Sequence, residues 1–100
     1  MNIREAQERV ALYIKKRGWE YSVNETFLHL MEEVGELTWC ARRAESASGG
    51  SVEDELGDVL FLVLQAANAL KIDAESAWLN KLKKDETRFP VKKCDVTPTR

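Results

Sequence analysis

Five acidic residues flanked by apolar ones are the strongest chemical signal in this sequence. Glu32, Glu33 and Glu36 form Glu-Glu-x-x-Glu, and Glu55 and Asp58 form Glu-x-x-Asp. On a helix, at about 100° per residue, Glu32 and Glu36 fall about 40° apart. Glu33 and Glu36 fall about 60° apart, as do Glu55 and Asp58. Each set therefore points its carboxylates in one general direction. Like charges three or four residues apart cost a helix about 0.2–0.5 kcal/mol per pair. Asp58 also stands immediately before the apolar run Val59-Leu-Phe-Leu-Val-Leu64, where an unpaired ion is costly. A cation held between the sets turns repulsion into attraction, and oxygen-only ligands suit Mg²⁺ or Mn²⁺. The plain alternative is a solvated helix face. Glu5, Glu8, Glu45, Glu53, Glu75 and Glu86 read as surface residues of that kind.

A redox-active di-iron bundle is the rival metal chemistry, and it draws Glu-x-x-His pairs from two helices. The only histidine is His29, and Thr26 stands three residues before it, so those ligands are missing. His29 itself reads as a packing or hydrogen-bonding residue one turn ahead of Glu32 and Glu33, where it would steady a ligating carboxylate.

The elements that must position these acids are helices. Proline is absent from the first 89 residues, and Ala, Leu, Glu and Lys are abundant. A first helix runs from Asn2 or Ile3 to about Arg17, with Ile3, Ala6, Val10, Tyr13 and Ile14 as its apolar stripe and Gly18 as a left-handed cap. A loop covers residues 19–23. Ser22 and Glu25 make a capping box, with Asn24 as an alternative cap. The second helix extends to about Ala47 with a core stripe of Phe27, Leu30, Met31, Val34, Leu37, Thr38 and Ala41. Ser46-Ala-Ser-Gly-Gly-Ser51 is the clearest break. Ser51 caps a third helix ending near Lys71, and Asp73 caps a fourth that reaches about Glu86 before Pro90. Four helices with short loops make a small antiparallel bundle, an all-α fold.

The run from Val59 to Leu64 is apolar all the way round a helix, and three short neighbours in one chain hardly cover it. The sequence thus predicts an obligate oligomer. A buried strand is the alternative for so short a run, although the flanking residues favour the helix.

Composition narrows the classes. The chain has 100 residues, 44% hydrophobic and 32% charged, room for one domain. A net charge of −2 is poorly suited to broad nucleic-acid binding. No stretch reaches the roughly 18–20 apolar residues of a membrane span, and Met1-Asn-Ile-Arg-Glu5 has no apolar signal core. Cys40 and Cys94 form neither a disulfide framework nor a CxxC pair. These features predict a reduced, cytoplasmic protein, with no nucleic-acid and no membrane partner.

At Glu32-Glu-Val-Gly-Glu-Leu37, followed after a spacer of 18 residues (37 to 54) by Glu55-Leu-Gly-Asp-Val-Leu-Phe61, the chain resembles the MazG-like, all-α nucleotide pyrophosphohydrolases. All five acidic positions of that family's pattern are matched, and the resemblance covers about residues 3–90. It implies a domain over residues 1–90, with residues 91–100 as a tail that is flexible unless it docks. It implies hydrolysis of a nucleoside triphosphate between the α and β phosphates, releasing monophosphate and pyrophosphate, in the housecleaning of nucleotide pools. Glu33, Glu36, Glu55 and Asp58 would bind Mg²⁺ (or Mn²⁺). Glu32 or Glu33 would orient or deprotonate the attacking water.

Lys81-Leu-Lys-Lys-Asp-Glu-Thr-Arg-Phe-Pro90 is similar to the family's basic C-terminal helix, especially in the dCTP-pyrophosphatase-like branch. By that resemblance Lys81 contacts phosphates and Asp85 the nucleotide. Lys84 and Arg88 either assist or simply suit the helix dipole. Leu28, Glu32, Gly35 and Trp39 share one helix face. Trp39, and Trp19 ahead of that helix, either stack on a base or pack by burial. Gly35 and Gly57 weaken helices, and close helix approach is the expected compensation. The expected assembly is a homodimer or homotetramer. The rivals are a nucleotide-binding regulator without turnover and a helical oligomerisation module.

Overall fold

Each helix begins and ends where side chains and backbone can satisfy its terminal groups. The computed structural model describes residues 1–43 and 50–91. They form α1 (Ile3–Lys16), α2 (Val23–Arg42), α3 (Gly50–Leu70) and α4 (Ala74–Arg88), with no strand among the described residues. Asn2 caps α1 by accepting from the Glu5 N–H at 2.8 Å. Gly18, at φ +65°, takes the left-handed turn that closes α1. Ser22 and Glu25 form the reciprocal capping box of α2, at 3.0 and 3.1 Å. Lys71 ends α3 in the left-handed region, φ 56°. Asp73 caps α4 by accepting from the Glu75 and Ser76 N–H groups.

Three boundaries differ from the sequence reading. The second helix stops at Arg42, with Arg43 already out of helical geometry at φ −102° and ψ 2°. The expected extension to about Ala47 falls on residues 44–49, which lie outside the described residues. The third helix begins at Gly50, one residue before the expected cap position Ser51. The fourth runs two residues past Glu86, since Pro90 restricts only the residue before it, and Phe89 is the one that turns away (φ −125°, ψ 68°).

α2 and α3 pack as an antiparallel hairpin, and α1 lies against α3. The buried core is small: Val10, Leu62, Leu64 and Ala66, with the polar pair Thr26 and Gln65 among them. Val59–Leu64 is helical, which settles the strand alternative, but it is covered round only part of its circumference. Leu62 and Leu64 are buried while Leu60 and Val63 are exposed. The expected stripe on α2 narrows for the same reason. Only α3 packs on α2 to any extent, so Leu30 and Leu37 are half-buried while Phe27, Met31, Val34, Thr38 and Ala41 remain exposed.

α4 docks on α1 through its first turn. The Arg4 guanidinium pairs with Asp73 at 2.8 Å and Glu75 at 2.9 Å, so Glu75 is a tie between helices and not a plain surface residue. The Gln7 amide donates to the Ile72 carbonyl at 2.7 Å and accepts from the Ala74 N–H at 2.9 Å. Beyond this clamp Trp78, Leu79 and Leu82 are exposed. The helices therefore make a three-helix unit carrying α4 by one end. The all-α expectation holds, but among the described residues of one chain the four helices do not close into a bundle, because α4 is held only by its first turn against α1. No described helix is long and apolar enough to cross a membrane.

Candidate active site

Antiparallel packing of α2 on α3 sets Glu33 opposite Glu55 and Asp58. One carboxylate oxygen from each of the three lies within 4.8 Å of the others. Glu33 is half-buried, its side chain 16% exposed. Among the described residues, no hydrogen-bond partner reaches the buried oxygens Glu33 Oε2 and Glu55 Oε2. Buried acceptors without donors are costly. The Glu55 carboxyl responds by holding its proton, its pKa pushed up to about 7. The first cause is a hydrogen bond to the Glu33 carboxyl, which needs one of the two to stay protonated; burial and the charges of Glu33, Glu36 and Asp58 add to it.

The remaining acids stand differently. Glu36 is exposed, close enough to act on Glu55 through its charge but outside the converging trio. Glu32 is exposed as well, and so are Leu28, Gly35 and Trp39. That face of α2 points away from the trio. Asp58 is itself exposed, and of its apolar neighbours Leu56 and Leu60 are exposed as well. Gly35 and Gly57 do not mark close helix approach: a Cβ at either would meet nothing within 4 Å. His29 Nε2 lies 3.6 Å from Glu33 Oε1, an ion pair whenever the imidazole is protonated.

Glu33 and Asp58 also line a cleft of about 570 Å³, whose other walls combine four aromatic rings with Arg9, Val10, His29, Leu62 and Gln65. Tyr13 from α1, Phe61 from α3, and Trp19 and Tyr21 from the loop after α1 all line it. Tyr13 meets Trp19 and Phe61 edge to face at 5.8 and 5.7 Å between centroids, and Trp19 meets Tyr21 at 6.5 Å. Gln65 lines the cleft two turns along α3 from Asp58. Trp19 is thus a cleft residue. Tyr13, read from sequence as core, is one too. Tyr21, Phe61 and Gln65 were missed, since nothing in a one-dimensional stripe separates a core-facing ring from a cleft-facing one.

No α4 residue lines this cleft. Lys81 and Asp85 pair with each other at 3.0 Å along α4, and Asn80, Lys83, Lys84, Thr87 and Arg88 line a separate shallow groove on the same helix. Trp39 is 60% exposed and carries the Arg43 guanidinium 4.4 Å over its ring. Lys81, Asp85 and Trp39 are therefore not brought to the acidic trio within one chain.

A family model of the MazG nucleotide pyrophosphohydrolase domain matches residues 22–92. The chain belongs to this family. The matched span of the MazG domain holds α2, α3 and α4, and with them all five acids of the two motifs. α1, which supplies Tyr13 to the cleft, precedes it. No curated protein matches the chain. The MazG trio fits a hard divalent cation on two counts. Its donors are all carboxylate oxygens, and two buried oxygens lack the partner that a cation would provide.

Proposed function

We propose that this MazG domain hydrolyses nucleoside triphosphates, NTP or dNTP, between the α and β phosphates with Mg²⁺, or Mn²⁺ in its place. The products are a nucleoside monophosphate and pyrophosphate, and the role is housecleaning of the nucleotide pool. One observation carries the reading: Glu33, Glu55 and Asp58 converge, and Glu33 and Asp58 line a cleft that also holds four aromatic rings. An acidic trio repels a polyphosphate, so it is useful beside a base-sized aromatic slot only as a cation holder. Bound divalent cations supply neutralisation of the triphosphate charge and polarisation of the phosphoryl group under attack.

The chain's own residues do the rest. Glu33, Glu55 and Asp58 hold the ions, and Glu36 adds negative charge at the rim. Glu33, or Glu32 beside it in sequence, accepts the proton of the attacking water. Trp19, Tyr13, Tyr21 and Phe61 enclose the base and exclude water from it.

The acting species is a homodimer or homotetramer. Leu28, Met31, Leu56 and Leu60 on the hairpin and Trp78, Leu79 and Leu82 on α4 are all exposed, more apolar surface than a stable monomer leaves uncovered. A neighbouring chain covering these faces would bring its α4, with Lys81 and Asp85, to the phosphates. It would also cover the exposed Trp39 ring.

Incubation with a panel of NTPs and dNTPs plus Mg²⁺, with product identification, tests the reading. Monophosphate with pyrophosphate supports it. Diphosphate with orthophosphate overturns it. Tight nucleotide binding without products marks a regulator instead.

A further inference from the structure

His29 is the only histidine of the chain, and the proposed reaction leaves it without a role. It stands one turn ahead of Glu33 on α2, and both residues line the cleft. Side chains on a helix lean back towards its N-terminus, so Glu33 reaches over the turn that carries His29. The two meet through particular atoms. His29 Nε2 lies 3.6 Å from Glu33 Oε1, while Glu33 Oε2 is buried without a hydrogen-bond partner among the described residues. The two oxygens of one carboxylate thus have different surroundings. The 3.6 Å separation is a few tenths of an ångström beyond a hydrogen bond, and a small rotation of the half-exposed imidazole closes it. Arg9 lines the same cleft but forms no ion pair with Glu33 or Asp58 among the described residues. Glu32 lies on the face of α2 turned away from the trio, so the carboxylate that His29 can steady is Glu33.

We infer that His29 is a positioning residue for the cation: its Nε2–H donates to Glu33 Oε1 and fixes the rotation of the carboxylate that Glu33 gives to the trio. The imidazole acts through Glu33 and touches neither the ion nor the substrate. The inference rests on the cation-holding reading above and deepens it. A donor behind a ligating group orients that group, and its loss costs about 10- to 100-fold in metal affinity. The role needs an N–H and no charge, so a neutral amide of similar reach can replace the imidazole. A plain i, i+4 helix pair would instead support α2 slightly and leave cation affinity unchanged.

Calorimetric titration of the full-length protein with Mg²⁺ alone reads this role without any turnover. His29→Ala should raise the Mg²⁺ Kd by about tenfold or more. His29→Gln, whose amide nitrogen reaches about as far as Nε2 and does not titrate, should return it to within about threefold of wild type. His29 is half exposed, so neither change empties the core, and circular dichroism should show the helices retained. In hydrolysis assays the Ala variant should need more Mg²⁺ than wild type to reach half its maximal rate. A Kd unmoved in His29→Ala overturns the inference, and so does a loss that His29→Gln fails to restore. If no triphosphate is cleaved but the Mg²⁺ Kd follows His29 in this way, the proposed reaction falls and the positioning role stands. If monophosphate and pyrophosphate form but the Ala variant binds Mg²⁺ as wild type does, the reaction stands and the positioning role falls. A wild type that takes up no Mg²⁺ overturns both.

Discussion

Glu55→Gln separates the cation-holding role from a structural one, because the two roles move stability in opposite directions. In the wild type Glu55 lies against Glu33 and within the field of Glu36 and Asp58. Its folded pKa of about 7 lies above the ordinary 4.5. Protonation of Glu55 therefore favours the metal-free fold. That contribution is present in full below about pH 4.5 and is lost as pH climbs through about 7. A glutamine keeps the shape, removes the charge, and offers Glu33 an N–H donor. At about pH 8, above the Glu55 value, the metal-free variant should melt higher than the metal-free wild type. The wild-type-minus-variant difference should fade towards acid pH.

Added Mg²⁺ should reverse the order. At ten times its Kd, Mg²⁺ stabilises the wild type by about 1.4 kcal/mol, which raises the Tm of a domain this size by about 6–11 °C. Losing one of three converging ligands weakens binding by about a hundredfold or more, the upper range seen for groups that merely support ligands. The same Mg²⁺ then adds less than about 0.1 kcal/mol and moves Tm by under about 1 °C. The assay is a set of thermal melts at one protein concentration, with and without Mg²⁺, across pH. A Glu55→Gln protein that keeps the full Mg²⁺ shift, or melts lower than wild type without metal at about pH 8, would refute the reasoning.

Asp58→Asn should lower kcat by at least about a hundredfold, as loss of a charge-stabilising group does, while circular dichroism shows the helices retained; steady-state kinetics with Mg²⁺ decide it. The acid limb of the pH–rate profile should fall as pH drops below about 7, because the proton that Glu55 then holds competes with the cation; a flat profile across that region would count against Glu55 as a ligand. Trp19→Ala should raise KM for the preferred triphosphate by about 5- to 150-fold, the equivalent of about 1–3 kcal/mol for one base–aromatic stack, and an unchanged KM would remove Trp19 from the cleft's function. Gln7→Ala should destabilise the fold by about 1–2 kcal/mol, since it strips partners from the Ile72 carbonyl and the Ala74 N–H; urea unfolding measures it.

The features legible in the sequence are local ones. The Ser22–Glu25 capping box, the Gly18 turn and the Asp73 cap are each closed by groups within a few residues of one another, so residue type and spacing suffice to find them. The acid motifs are equally local, as i, i+3 and i, i+4 spacing on a helix fixes direction whatever packs nearby. Reading how those directions meet needed the third dimension. Glu33, Glu55 and Asp58 converge while Glu32 stays outside, because the register of α2 against α3 brings one member of the first motif to both members of the second. Spacing alone treats Glu32 and Glu33 as equals.

The apolar stripes mislead for a related reason. Periodicity says which residues of a helix want cover, and the number of neighbouring helices says which receive it. α2 has one substantial neighbour in the chain, so Met31 and Val34 are left in solvent. Tyr13 and Phe61 fall in helical register with core residues, yet they line a cleft because the loop carrying Trp19 and Tyr21 returns beside them. The sequence by itself determined the four helices, the caps at Ser22 and Asp73 and the acids on the helix faces, since each depends on interactions a few residues long. The tertiary structure alone decided which carboxylates converge, which rings line one cleft, and which way the Gln65 amide is turned. Those depend on groups such as Thr26 and Gln65, 39 residues apart in the chain, being pressed together by packing that no local spacing encodes.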